Sequence, residues 1–351
     1  MTERPASDTV PSDRDEAARA NAAQARAATM APGEVGAPDL ELVYETGVEI
    51  KARSQWAYAR MRFLRHRLAV ASLVVLVILG LVAIFAPEIA PYSYDAIDLD
   101  NLNQSPTLSG WHLFGTDQLG RDYLSRVIFG LQTSLWVAFV VALLSTAFGT
   151  ALGAVAGYYG GWIDNLLMRF TDLILTLPGL AVLLTAARFF GQGDVNVDLG
   201  PLSFVMPQPL VIGIILAFLF WTGIARIVRG LFLSLREKEF VEAARAAGAG
   251  DLRIIVRHML PNTVGPIVVN ATLVVASAIL VEAALSFLGF GIQPPKAAIG
   301  SLIADGQQQG IQTWWLVTFP GLVIVIICLA INFVGDGLRD ALDPTQRRTR
   351  A

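Results

Sequence analysis

The chain has little with which to do covalent, redox or metal chemistry. Its single cysteine, Cys328, excludes an intrachain disulfide, and inside an apolar run its expected role is packing. The three histidines, His66, His112 and His258, stand far apart, and none has the His-Glu-x-x-His spacing of a helical zinc protease. The three lysines, Lys51, Lys238 and Lys296, follow Ile50, Glu237 and Pro295. The Gly-Lys pair of a phosphate-binding loop is therefore missing, and the chain does not hydrolyse ATP by that route. No Gly-x-Ser-x-Gly nucleophile elbow occurs either. No catalytic residue, metal site or cofactor of its own is expected. Charge is also scarce, at 16% of residues, and the net charge of −3 gives no basic surplus for nucleic acid.

What the chain has is apolar length. Of its 351 residues 54% are hydrophobic, and the mean hydropathy of +0.55 is too high for a soluble domain of this size. It reads as an all-α polytopic membrane protein with six transmembrane helices. The apolar runs are Leu68 to Ala86, Ser134 to Gly157, Phe170 to Phe190, Leu210 to Leu231, Val264 to Phe290 and Trp314 to Phe333. Each is near the roughly 20 residues that cross about 30 Å of hydrocarbon as a helix. Basic residues gather in the flank from Lys51 to Arg67, in the 232 to 262 insert and in the Arg347-Arg348-Thr349-Arg350 tail. The 191 to 208 loop has only acids, and the 291 to 313 loop only Lys296 as a base, so both termini are expected on the cytoplasmic side.

The organisation expected is a disordered cytoplasmic tail over 1–50, a basic interfacial segment over 51–67, the first span over 68–86 and an extracytoplasmic loop over 87–130. A five-helix core over 131–335 and a cytoplasmic tail over 336–351 complete it. The tail over 1–50 lacks the apolar core of a signal peptide, and too few large apolar residues are present to offset chain entropy. Within the spans, Gly149, Gly153 and Gly157 at four-residue spacing admit a close helix neighbour. Glu282 in the fifth span either joins helices by hydrogen bonding or marks an ion pathway, and the joining role is favoured. Asp172 is expected to pair with Arg169 at helical spacing, while Arg188, Arg226 and Arg229 are expected to snorkel to the interface.

The polar insert from Ser234 to Asn262 carries the strongest local pattern. Ser234 and Glu237 have capping-box spacing, and Phe240, Val241, Ala244 and Ala247 recur on one helical face. Gly248 and Gly250 break that helix, Asp251 caps a second one with an apolar stripe of Leu252, Ile255, Val256 and Met259, and Pro261 resets the backbone. From this pattern alone, two amphipathic helices lying among lipid headgroups is an equally good reading.

Glu242-Ala243-Ala244, then Gly248, then Leu260-Pro261 resembles the EAA loop of ABC-importer permeases. His258 stands where that loop commonly has isoleucine, a variation familiar in the peptide and nickel branch. Further stretches resemble the C-type subunits of dipeptide and oligopeptide permeases. They are Gly115-Thr116-Asp117 to Gly120-Arg121-Asp122 with Ser125-Arg126, Ala156 to Gly161, Glu282 to Gly289, and Gly335 to Asp340 ending at Leu342-Asp343-Pro344. The resemblance runs from about Phe63 to Pro344. It departs in the long N-terminal tail, the extended 191 to 208 loop and the run Pro294 to Gly300.

The resemblance implies an ABC type I importer-like permease with cytoplasmic coupling helices, in the inner membrane of a prokaryote. Its partners would be a second homologous permease subunit, two cytoplasmic ABC ATPases that bind ATP and Mg, an extracytoplasmic solute-binding protein and membrane lipid. Phe240, Val241, Glu242, Ala243, Ala244, Gly248, Leu260 and Pro261 would engage an ATPase. The solute expected is a peptide, with nickel chelates and oligosaccharides as alternatives inside the class. Outside it, the alternatives are an ion-coupled secondary transporter using Glu282 and a membrane-anchored scaffold docking through 234–262.

Overall fold

The computed structural model describes residues 55–342, apart from 192, 200 and 201. The expected tail over 1–50 and the basic C-terminal residues lie outside the described residues. A helix α1 (Gln55–Arg65) is separated from α2 (Arg67–Ile84) by His66 alone, whose extended backbone ends one helix while its Nδ1 accepts from the Ala69 N–H at 3.1 Å and caps the next. Then come α3 (Tyr123–Tyr159), α4 (Gly161–Thr176) and α5 (Gly179–Phe190), followed by a hairpin of β1 (Val195–Leu199) and β2 (Leu202–Met206). The chain continues with α6 (Gln208–Leu235), α7 (Glu239–Ala246), a helix α8 running from Asp251 to Phe287, α9 (Ile299–Gln308) and α10 (Trp315–Leu342).

Five of these helices, α2, α3, α6, α8 and α10, are each long and apolar enough to cross a membrane, and α4 with α5 makes a sixth crossing if taken as one span. Within the run expected as the third span the helix is not continuous, because α4 and α5 meet at 81°. Pro178 is the reason. It lacks an N–H and pushes Leu177 into extended backbone at φ −69°, ψ 138°, so the helix stops and restarts at Gly179.

α3 has 37 residues, a length of about 55 Å at the α-helical rise, and it begins eight residues before the boundary expected at 131. Asp122 sets the start by accepting from the Ser125 N–H at 2.8 Å. Just ahead of it, Thr116 to Asp122 form a turn closed by a bridge between those two residues. Hydropathy misses this boundary because the first turn of α3 carries Ser125 and Arg126, which are buried by tertiary contacts rather than by lipid.

The glycine spacing acts as expected. A Cβ on Gly149 would lie 2.6 Å from the Trp221 carbonyl oxygen, and one on Gly157 would lie 2.7 Å from that of Arg229, so α3 and α6 touch backbone to backbone along this row. A second buried layer joins α3, α6, α8 and α10 through Val137, Val141, Ile212, Leu216, Ile279 and Ile331. The 191 to 208 stretch, expected as a loop, pairs antiparallel with Val195 opposite Met206 and Val197 opposite Phe204. The 291 to 313 stretch likewise contains α9, with Ile299, Gly300 and Leu302 buried at the end of the bundle remote from 234–262.

Candidate functional site

The segment from Ser234 to Asn262 does not start as its pattern suggests. α6 runs to Leu235, which places Ser234 inside its last turn, so the Ser234–Glu237 capping box is not formed. α7 begins at Glu239 behind Lys238, without a side-chain cap, and Glu239 and Glu242 in its first turn face the positive end of the helix dipole instead. Its end is as expected at Gly248, whose φ of +79° suits glycine. The Gly248 N–H donates to the Arg245 carbonyl and the Ala249 N–H to that of Ala244, both at 3.0 Å, which closes a Schellman turn. Gly250, by contrast, is extended at φ −70°, ψ 156°, a conformation that needs no glycine.

The second helix is not a separate surface element. From Asp251 it continues into the fifth span, and Pro261 does not reset it. The turn Ile254–Met259 widens to π geometry, with the Leu260 N–H reaching the Ile255 carbonyl. This widening displaces the carbonyls that the proline ring would otherwise strike, so the helix passes Pro261 intact.

Burial sorts the candidate residues. Val241 is fully buried with Val228, Phe232, Ile254 and Met259, so it anchors α7 to its own chain and cannot also touch a partner. Burying a side chain of this kind contributes about 1.5–3 kcal/mol to holding α7 in place. Phe240, Glu242 and Ala243 are exposed, Ala244 is half-buried, Leu260 is half-buried and Pro261 is exposed. Phe240 is joined on the surface by Leu252 at 75% and Val256 at 52% exposure, two members of the apolar stripe whose other members, Ile255 and Met259, are half-buried and buried. The Tyr158 hydroxyl donates to Asp251 Oδ1 at 2.7 Å and ties the end of α3 to the start of α8.

Arg226 and Arg229 of α6 pair across helices, which corrects the expected partner of Asp172. Arg226 Nη2 donates to Asp172 Oδ1 at 2.6 Å, and Arg229 holds Asp164 through both carboxylate oxygens. Asp172 thus takes a partner on a neighbouring helix rather than Arg169, through one donor in a half-exposed pair, so the contact adds little stability.

At the opposite end a second polar assembly is present that sequence spacing did not reveal as such. Asp117 accepts from Arg126 Nη1 at 2.6 Å and Arg121 Nε at 2.7 Å, with Arg126 and Asp117 side chains only 3% exposed. Asp305 lies 3.7 Å from Arg126, and burial pushes its carboxyl above the usual range although Arg126 and Arg121 oppose this. His112 Nδ1 and Asp122 Oδ1 are 2.9 Å apart in the same region. Gln208 donates to the carbonyls of Gly191 and Gly291 and accepts from the Gln293 N–H, so it joins the stretches flanking the hairpin and α9. Beside it the Gln208 N–H and Lys296 hold the Asp194 carboxyl below the usual range. The run of Gly-Thr-Asp and Gly-Arg-Asp was the only signal of this assembly in the sequence.

Glu282 is fully buried, and each of its oxygens takes a serine hydroxyl, Ser134 at 2.9 Å and Ser286 at 2.7 Å. Ser134 in turn accepts from the Ile299 N–H at 3.3 Å, so Glu282 joins α3, α8 and the start of α9. This is the joining role.

Comparison with known proteins bears on most of the chain. Residues 149–348 match the family described as binding-protein-dependent transport system inner membrane component, and residues 54–106 match the N-terminal TM domain of oligopeptide transport permease C. The oligopeptide transport system permease protein OppC of Mycobacterium tuberculosis is 42% identical over 82% of this chain and 94% of its own length. The proteins of the same name from Haemophilus influenzae and Escherichia coli are 40% and 41% identical, each over 86% of this chain and over 92% and 94% of their own. Among solved structures, the inward-facing MetNI methionine ABC transporter aligns with 63% of this chain and 97% of its own at 19% identity, with a TM-score of 0.45, too loose a fit to carry weight.

Proposed function

We propose a function from one premise: the chain belongs to the binding-protein-dependent transport system inner-membrane component family. It is a multi-pass permease subunit without an ATPase motif. On this premise it is the C-type permease of an ATP-driven oligopeptide importer, working with a second related permease, two cytoplasmic ATPases and an extracytoplasmic binding protein. The observation that supports the peptide assignment is identity of 40–42% to relatives named as oligopeptide permeases across nearly their whole length. Both termini and the segment 234–262 are placed on the cytoplasmic side, in keeping with the basic residues that flank the spans.

The coupling step follows from what is buried and what is not. Val241 and the Tyr158–Asp251 bond make α7 one body with α3, α6 and α8. Phe240 then projects for an apolar groove on an ATPase, Ala243 and Ala244 allow close approach, and Glu242 accepts hydrogen bonds from the partner. Gly248 turns the chain back to its own bundle, and Leu260 and Pro261 begin the span that carries motion away from the contact. Closure of the two ATPases on ATP would draw the paired segments together. Because α8 is unbroken from Asp251 to Phe287, about 55 Å of helix at the α-helical rise, displacement at one end reaches the other and changes which side the cavity opens to.

The test is reconstitution of the full assembly in liposomes with a labelled oligopeptide and its binding protein. Uptake that requires ATP inside the ATPase-facing compartment is expected. Uptake driven by an ion gradient without ATP would replace this reading with a secondary transporter.

A further inference from the structure

The two spans that expose the largest share of their apolar stretch within the chain do so with different chemistry. Only 17% of that stretch is buried in α2 and 22% in α8, against 56% in α3 and in α6. Beyond Arg67 at its first residue, the exposed side chains of α2, among them Leu73, Val74, Val77, Ile78, Leu81 and Ile84, are aliphatic, as hydrocarbon lipid requires. α8 differs. Its open face follows the spacing Pro266, Asn270, Leu273, Ser277, Leu280 and Ala284, one helical stripe in which amide and hydroxyl alternate with leucine.

The polar groups of that stripe are incompletely satisfied. Thr133, Thr171, Thr185 and Thr272 turn their hydroxyls onto carbonyls of their own helices. Ser277 is exposed and makes no such bond among the described residues, although it lies deep in a span where hydrocarbon would leave it unpaired at a cost. Asn270 donates to the Pro266 carbonyl at 2.8 Å, which leaves its Oδ1 as an acceptor without a donor among the described residues. Both residues line a groove of about 300 Å³ between α6 and α8, with Thr222 and Gly223 on the α6 side. A Cβ on Gly223 would meet nothing within 4 Å. Asn270 also borders a hollow of about 390 Å³ that continues past Pro266 toward Arg339, at the end that carries 234–262.

Resting on the permease reading above, we propose that this face of α8, with Gly223 opposite, lines the water-filled route of the solute. Asn270 and Ser277 both donate and accept without carrying charge, so they hydrogen-bond a passing peptide backbone whatever its side chains. The route therefore favours extended amide chains over anions or cations, and it holds none of them tightly.

The test is thiol accessibility in the complete assembly, with Cys328 replaced by alanine. Ser277→Cys, Asn270→Cys and, as the lipid-facing control, Val77→Cys are exposed to a charged, membrane-impermeant methanethiosulfonate in oriented vesicles. The thiolate needs water to form, so the thiols introduced at positions 277 and 270 are expected to react at least about ten-fold faster than the one at position 77 in one nucleotide state. Translocated peptide is expected to slow that reaction. If both stay as unreactive as the control in every nucleotide state while the assembly imports peptide, the face is covered by lipid or the second subunit and the inference fails alone. If no variant or parent imports peptide with ATP, the permease reading fails with it.

Discussion

Replacing Gly153 with alanine adds one methyl group to a close backbone contact between α3 and α6. The new Cβ would lie 2.9 Å from Val228 Cβ and 3.1 Å from the Arg229 nitrogen, and closer still to the Ala225 carbonyl oxygen. Ordinary contacts of these atoms need roughly half an ångström more, and most of the obstacle is backbone, which cannot rotate away. α3 and α6 must then separate along the row that includes Gly149 and Gly157. Overpacking of this kind costs about 1–3 kcal/mol, and here the upper half is expected because two backbones oppose it. Gly230→Ala is the control, since nothing lies within 4 Å of its would-be Cβ and alanine is the better helix former by about 1 kcal/mol. Thermal unfolding of the purified subunit in detergent, followed by fluorescence, should place Gly153→Ala several degrees below the parent and Gly230→Ala at or above it. Equal midpoints for the two variants would refute the backbone contact between α3 and α6.

Glu282→Gln should keep import and its pH dependence, because the amide still accepts from one serine and α9 stays joined. Glu282→Ala should cost about 2–4 kcal/mol through two orphaned hydroxyls and a void. Loss of pH dependence in Glu282→Gln would point to proton coupling instead. At the opposite end, Asp117→Ala strands the buried Arg126 and should cost about 3–5 kcal/mol in detergent melting. Asp305→Asn should behave oppositely. Its carboxyl is held above the ordinary value of 3.8, so the stability it contributes is complete below that value and lost as pH rises past it. The asparagine variant should therefore match or slightly exceed the parent at neutral pH, and a deficit there would mean that the half-exposed Asp305 gains more from Arg126 than its partial desolvation costs.

Hydropathy identified the six apolar runs because lipid imposes one requirement on length and composition. It could not locate ends set by tertiary contacts. Arg126 reads as a loop residue until Asp117 is placed beside it, and Ser234 reads as a cap until α6 is seen to run through it. The bend at Pro178-Gly179 was visible as residues but not as an angle, since proline in a span can also be tolerated without one. At the candidate site, Gly248 was legible because a positive φ selects glycine directly. Val241 and Phe240 were not separable, because adjacent residues on a short helix differ only in what lies around them. The π turn before Pro261 had no local signal at all. It is the response of a long helix to a proline that packing will not let it break.

The claim on which the account turns is that 239–261 is where an ATPase is engaged. The direct measurement is purification of the tagged subunit from its native membrane by gentle detergent extraction, with mass spectrometry of everything retained. The parent should be compared with Phe240→Asp, Glu242→Arg and Gly248→Val, each checked for normal insertion. The parent should bring down two ATPases and a second permease, and the variants should lose the ATPases while keeping the second permease. Variants that retain the ATPases and couple ATP hydrolysis to peptide import as the parent does would contradict it.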